Sequence, residues 1–451
     1  MSLTAQQLKK IDPLHALIAG GFVSGTKHPI PLVATRFDVD LDHGLAIVSA
    51  TRIFRNAEES SIEATITFPM PVHAILFNLE TRIDGRVLKA RAQRKSQARG
   101  TYESTIERGK TAVLHEEVLR GVHMLSVGHV PAGAEIEVSA TWTTTLTNLN
   151  GRAQLRIPLT VGDIYGRSGL PDSDDLTYGG PVETAELAVH CHDGEVTLRG
   201  RRLDNGRAKV PVNAPIDLEV TGWTPGELRG RAADGREVVL CVEPAPFGDA
   251  DINVAVLIDH SGSMGELCSS DHRSMTKHQS VLAGLQKIAA RIGHSDVIDL
   301  WEFDDAHHHV GLARGRNGLQ PLIGRLSGPA GGTEIGTALA GVTALSRAQD
   351  VLLVTDGKSH SLDVQALART GRRFSVVLVG EDSLEANVGH LAALTGGEIF
   401  VSAGADLAEV LNAALYLRSY QAPSGHPNHR QAATDLGSSS RNDTHGGMAR
   451  R

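Results

Sequence analysis

The 451-residue chain carries 44 Lys+Arg against 52 Asp+Glu, a net charge of −8, and no basic run interleaves with aromatics, which excludes a general nucleic-acid binder. Its length suits roughly two to four domains with sizeable cores. Its 48 glycines and 4% aromatics suit turn-rich β structure beside α/β packing. Three scattered cysteines, Cys191, Cys241 and Cys268, make no disulfide framework and point to a reducing compartment.

The first segment, residues 1–24, opens MSLTAQQLKKIDPLHALIAGGF. Its short apolar piece is broken by Asp12, Pro13 and His15, a poor secretory signal. No stretch reaches the ~20 apolar residues of a membrane span. The expectation is a cytoplasmic protein without a membrane span.

Residues 25–160 alternate with period two. Ile62, Ala64, Ile66 and Phe68 form one such row, and Ile136, Val138, Ala140 and Trp142 another. DHG at 42–44, DGR at 84–86 and PAG at 131–133 supply turns, so the segment reads as an antiparallel β-sandwich. The charged stretch 89–110, KARAQRKSQARGTYESTIERGK, lacks alternation and reads as a helix or long surface loop. Its basic part is a solvated face or a patch for an acidic partner. Residues 161–248 continue with short strands (AELAVHC, AKVPV, IDLEVTG, EVVLCVE) and read as a second small β unit packed with the first.

Past Pro246 the rhythm changes, and residues 250–418 alternate apolar runs with helical stretches. INVAVLID, DVIDLWEF, VLLVTD, FSVVLVG and EIFV are the strands. Helices are expected near 276–292, over IGTALAGVTALSRA, near 363–370, over SLEANVGHLAALTG and near 405–418. Strands buried on both faces and joined by helices predict a doubly wound, Rossmann-like α/β sheet. Residues 419–451, rich in Ser, Gly, Asn and His, predict a disordered tail.

In such a sheet, ligands sit at the carboxyl ends of the strands. Asp259, Ser261 and Ser263 of DHSGSMG lie at one strand end, Thr333 in the Gly-rich GGTEIGTAL loop at another, and Asp356 of VTDG at a third. Two carboxylates and three hydroxyls are hard oxygen donors that suit Mg²⁺, with Mn²⁺ or Ca²⁺ as alternatives. A serine hydrolase is disfavoured, because adjacent Asp259, His260 and Ser261 cannot converge as a triad and no Gly-x-Ser-x-Gly elbow occurs. A phosphate loop is absent from the sequence. His307–His309 follow a strand and read as an exposed loop able to take Zn²⁺ or Ni²⁺, though solitary His runs are usually not sites. Asp304 and Asp305 could tune the oxygen cluster. Cys268 reads as a surface thiol beside it, redox-sensitive at most.

The Asp-x-Ser-x-Ser loop with its distant Thr and Asp resembles the metal-ion-dependent adhesion site of von Willebrand factor A domains, along all of 250–418. That resemblance implies metal contact by the hydroxyls of Ser261, Ser263 and Thr333, and by Asp259 and Asp356 directly or through water. ELCSSDHRSMTK, 266–277, is longer than the family's usual link. IFRN (53–56), FPMP (68–71), 102–118 and LSVGHVPAG (125–133) resemble the vault protein inter-alpha-trypsin domain. The pairing resembles the inter-alpha-trypsin inhibitor heavy chains and their bacterial relatives. Those heavy chains couple to polysaccharide after cleavage at an Asp-Pro bond, but the only Asp-Pro here is Asp12–Pro13, so that chemistry is not implied.

The resemblance implies a non-enzymatic scaffold or adaptor that binds a partner's Asp or Glu through Mg²⁺, with an assembly linked to an AAA+ ATPase as a sub-case. The alternatives are a self-associating structural subunit and, less favoured, a metal-dependent hydrolase, which would need more carboxylate and His ligands.

Overall fold

The computed structural model describes residues 20–23, 29–119, 121–149, 151–159, 184–212, 214–231, 235–242, 251–269, 274–315, 317–357, 362–380, 383, 386–402 and 406–416. The expected tail, most of the first segment and residues 270–273 of the long loop lie outside them.

The N-terminal half is β structure. A seven-stranded sheet runs in the order Arg207–Pro211, Thr184–Cys191, Leu32–Asp42, Leu45–Arg55, Glu135–Thr145, Ile75–Ile83, Arg86–Lys89. All its pairs are antiparallel except Thr184–Cys191 with Leu32–Asp42. A five-stranded sheet holds Pro29–Ile30, Gly20–Val23, Ile62–Pro69, Val122–Val130 and Ala112–Leu119. Two hairpins turn through left-handed residue pairs, His43 (φ 45°) with Gly44 (φ 76°) and Asp84 (φ 48°) with Gly85 (φ 74°). That is the geometry of two-residue turns matched to strand twist.

Alternation along Glu135–Thr145 points Ile136, Val138, Ala140 and Trp142 into one core with Phe37, Phe54 and Phe68. Asn56 of IFRN is fully buried, and its amide donates to the carbonyls of Ser60, Val130 and Pro131. That motif therefore pins a turn.

The charged stretch forms a helix, Lys95–Glu107. Tyr102 donates to Glu63 at 2.6 Å, and Arg99 and Lys95 reach Glu116. Part of its basic face is thus spent within the chain.

The described strands between 184 and 221 do not form a unit of their own. Thr184–Cys191 and Arg207–Pro211 extend the seven-stranded sheet. Ile216–Thr221 and Glu195–Leu198 join a third sheet with Arg152–Ile157. Leu187, Val210, Ile216 and Leu218 sit in the same core as Trp142. The boundary expected at 160 therefore cuts through shared hydrogen bonds, because short edge strands find partners far away in sequence. Gly226–Arg231 and Glu237–Val242 make a separate hairpin.

The C-terminal half is a six-stranded sheet: β1 (Asn253–Asp259), β2 (Val297–Phe303), β3 (His307–Arg314), β4 (Asp350–Thr355), β5 (Arg373–Val379) and β6 (Ile399–Ser402). Its order is β3-β2-β1-β4-β5-β6, parallel except for β3. The helices are α1 (Lys277–Ala289), α2 (Leu319–Ile323), α3 (Ile335–Leu345), α4 (Val364–Ala368), α5 (Ala386–Thr395) and α6 (Leu407–Tyr416). Val254, Val256 and Ile258 of β1 pack with residues of α1, α2 and α6, while Ala255 and Leu257 pack with α3, α4 and α5. Both faces are covered, which is why the strands are apolar at consecutive positions. No helix among the described residues is long and apolar enough to cross a membrane.

Candidate metal centre

The chain leaves β1 for β2 on one side, then returns to lay β4 on the other. The crevice at the carboxyl ends of β1 and β4 is the topological switch point. Asp259 ends β1, and Asp356 follows the last residue of β4. Both carboxylates are fully buried.

The DHSGSMG loop is held from within. Ser261 N–H donates to Asp259 Oδ1 at 2.8 Å, an Asx turn, and the Ser261 and Ser263 hydroxyls lie 3.3 Å apart. Thr355, at the end of β4, donates its hydroxyl to Asp259 Oδ2 at 2.5 Å. Residues 262–265 then wind into a short 3₁₀ turn.

The Gly-rich loop is tied to this turn by two backbone bonds. Ala330 N–H donates to the His260 carbonyl at 2.8 Å, and Gly262 N–H to the Gly331 carbonyl at 3.2 Å. Asp304 and Asp305 pack against the loop. A Cβ on Gly331 would meet a carboxylate oxygen of each at 2.9 Å, and Gly331 has φ +71°, so glycine is required there on two counts. The Glu334 N–H donates to the Asp304 carbonyl at 2.9 Å. The two acids thus support the loop that carries Thr333. Among the described residues no hydrogen bond joins the Thr333 hydroxyl to the other four oxygen groups.

Asp259, Ser261, Ser263 and Asp356 are therefore brought together, with Thr333 on a loop stapled to them. Burial first, and then the charge of Asp356, pushes Asp259 up to about 7 against the hydrogen bonds from Ser261 and Thr355. Two buried carboxylates set beside hydroxyls fit a hard divalent cation.

One residue of the site was not foreseen. Lys277, the first residue of α1, is 0% exposed, and its ammonium lies 3.0 Å from Asp356 Oδ2 and 3.2 Å from Glu266 Oε2. Its backbone is fixed by the Thr276–Gln279 capping box and by its own N–H on the Glu266 carbonyl at 2.9 Å. The sequence placed a helix start here, but nothing in its periodicity told which way the side chain of a first-turn residue would point.

The long 266–277 link folds back on itself. Leu267 and Thr276 form a bridge, and Cys268 N–H donates to the Met275 carbonyl at 3.0 Å. Cys268 is not a surface thiol. It is buried among apolar residues of α1 and β1, with its sulfur 3.2 Å from the Ser280 hydroxyl. Nor are His307–His309 a loop. They begin edge strand β3, where His309 bonds Asp299 at 2.8 Å and the rings of His307 and His309 pack on Trp301.

Comparison with known proteins gives one family match and several relatives. Residues 32–142 match the family model "Vault protein inter-alpha-trypsin domain". The chain is similar to von Willebrand factor A domain-containing protein 5A of Rattus norvegicus, 27% identical over 199 residues, which are 44% of this chain and 24% of that protein. It is also similar to protein mono-ADP-ribosyltransferase PARP4 of Mus musculus, 27% identical over 237 residues, 52% of this chain and 11% of that protein. The matches thus span a quarter or less of these relatives' own lengths. A solved structure, von Willebrand factor type A from Catenulispora acidiphila, aligns at 23% identity over 41% of this chain and 44% of that one, with a TM-score of 0.31. The resemblance read from IFRN, FPMP and the Asp-x-Ser-x-Ser loop holds for the inter-alpha-trypsin domain and for kinship with A-domain proteins.

Proposed function

We propose that the chain is a non-enzymatic adaptor that binds a protein partner through a divalent cation at the β1–β4 crevice. The observation that carries this reading is the burial of Asp259 and Asp356 at the switch point beside the Ser261 and Ser263 hydroxyls. Asp259, Ser261, Ser263, Thr333 and Asp356 would hold Mg²⁺, with Mn²⁺ or Ca²⁺ as substitutes. When bound, the ion supplies an electrophilic position for an Asp or Glu carboxylate of the partner.

The chain's own residues build the seat. Thr355 and the Ser261 N–H orient Asp259, and the Gly331 carbonyl and His260 carbonyl lock the two loops. Three of the five donors are neutral hydroxyls, which offset none of the ion's charge, and this suits capture of an anionic side chain. The carboxylates are already committed to such a seat, so the reading is recognition and not proton transfer. A cytoplasmic setting, and a partner assembly driven by an AAA+ ATPase, are part of this proposal.

Calorimetric titration of Mg²⁺ and Mn²⁺ into chelator-stripped protein tests it, with Asp259→Ala alongside. One saturable site in the wild type, lost in D259A, is expected. Absence of binding in the folded wild type and in every variant of the site would overturn the metal reading.

A further inference from the structure

The buried ammonium of Lys277 is costly on two counts. Removing an ammonium from water needs compensation by close partners. A cation in the first turn of a helix also opposes the helix dipole. The side chain nonetheless sits fully buried against Asp356, itself fully buried. Its second partner, Glu266, is different: that side chain is 51% exposed and lies at the rim. Lys277 therefore stands between an interior carboxylate and a surface one, at 3.0 and 3.2 Å.

The charges near the crevice make this placement consequential. Asp259 and Asp356 lie buried side by side, and the ammonium of Lys277 sits against Asp356. A divalent ion seated among Asp259, Ser261, Ser263 and Asp356 would neutralise both carboxylates and leave the ammonium as an unwanted like charge beside it. The backbone of Lys277 cannot withdraw, because Thr276 caps α1 and the Glu266 carbonyl holds the Lys277 N–H. The flexible four-carbon stem can move, and the Glu266 carboxylate already lies within its reach at 3.2 Å.

We infer that Lys277 is the site's built-in competitor for the metal: ammonium and ion claim the same Asp356 carboxylate, and metal entry hands the ammonium over to Glu266. This rests on the metal reading above and adds its regulation. The protein holds a preformed, charge-compensated crevice without metal, and loading is an exchange of cations and not a simple association. No covalent bond changes. The arrangement sets metal affinity below what the five oxygen groups alone would give, so that loading follows the local concentration of the ion or the arrival of an acidic partner.

The test is Mg²⁺ titration into the full chain for the wild type, Lys277→Met, Lys277→Arg and Glu266→Gln, with thermal melts in chelator and in excess Mg²⁺. K277M is expected to bind Mg²⁺ about tenfold or more tightly than wild type, since a like charge at close range is removed. K277R, which keeps the charge, retains the weak affinity, and this separates charge from packing. E266Q, altered only at the exposed partner, binds more weakly than wild type. In chelator K277M melts below wild type, and Mg²⁺ raises its Tm by more than it raises that of the wild type.

Equal affinities in wild type, K277M and E266Q would overturn the competition while leaving the metal site standing. Absence of Mg²⁺ binding in all four folded proteins would overturn both. Should K277M fail to fold, E266Q against wild type decides: equal affinities there contradict the hand-over to Glu266.

Discussion

Arg52 points inward from the strand Leu45–Arg55, in line with Ala46, Val48, Ala50 and Phe54. It is 3% exposed, and its guanidinium lies over the rings of Phe37 and Phe68, at 5.5 and 5.1 Å from their centroids. Its Nη1 has no hydrogen-bond partner. Burial holds the group at about 10, below its ordinary value, with no carboxylate acting against that fall. Two aromatic faces offset part of the lost hydration, but five donors ask for more than two rings supply. A side chain of similar length without charge should fit as well. Arg52→Met is therefore expected to leave Tm unchanged or raise it, measured by thermal unfolding followed by circular dichroism. A fall of many degrees would contradict this and assign the guanidinium a stabilising role beyond its ring contacts. The period-two pattern says which face Arg52 occupies. It does not say that a charge can live there, because that depends on aromatics from two other strands.

At the scale of elements, much of the α/β half was legible. INVAVLID, DVIDLWEF, VLLVTD and FSVVLVG become β1, β2, β4 and β5, and the expected helices appear as α1, α3, α4, α5 and α6 within a few residues of the stated ends. Long apolar runs bounded by Gly, Asp and Thr carry that information locally. Strands that owe their order to backbone pairing were harder to read. Edge strand β3 starts in His307–His309 and is largely exposed on both faces, so no apolar rhythm announces it. Its register against β2, with His308 opposite Glu302, is set by tertiary pairing and by contacts such as His309 with Asp299, which no local pattern announces. Thr184–Cys191 is similar. Its AELAVHC run reads as a strand, but its parallel pairing with Leu32–Asp42, some 150 positions earlier, is a tertiary choice. The candidate site divides the same way. Asp259, Ser261, Ser263 and Asp356 could be named as candidates because strand ends in a parallel sheet converge, whereas Thr333 follows a helix and reaches the crevice only through its loop. Lys277 was missed because a side chain's direction at a helix start is fixed by its partners, not by its spacing.

For the whole molecule, the two halves meet at the β6 edge of the α/β sheet. Val72 joins the cluster formed by α3, α4, α5 and β6, on one face. A Cβ on Gly389 of α5 would touch Val72 at 3.1 Å. Leu149 joins the cluster on the opposite face with α6, and Arg152 pairs with both Glu219 and Glu409 of α6. The β half thus grips one edge from both sides, while the candidate metal centre lies at β1 and β4. Apolar side chains buried across such a contact couple the stabilities of the two halves. Leu149→Asp is expected to split a single calorimetric transition into two, with the α/β half melting first. Two separate transitions already present in the wild type would contradict that coupling.

On the proposed reading, the β1–β4 crevice seats one divalent ion in exchange for the ammonium of Lys277. Anomalous diffraction from crystals grown with Mn²⁺ tests it most directly. The expected result is one peak between the carboxylates of Asp259 and Asp356, against the hydroxyls of Ser261, Ser263 and Thr333, with the Lys277 ammonium turned to Glu266. No peak in the crevice, with Lys277 still against Asp356, would contradict the account. So would a peak found only at Asp42, His43 and Asp193, whose ligand atoms lie within 4.8 Å of one another.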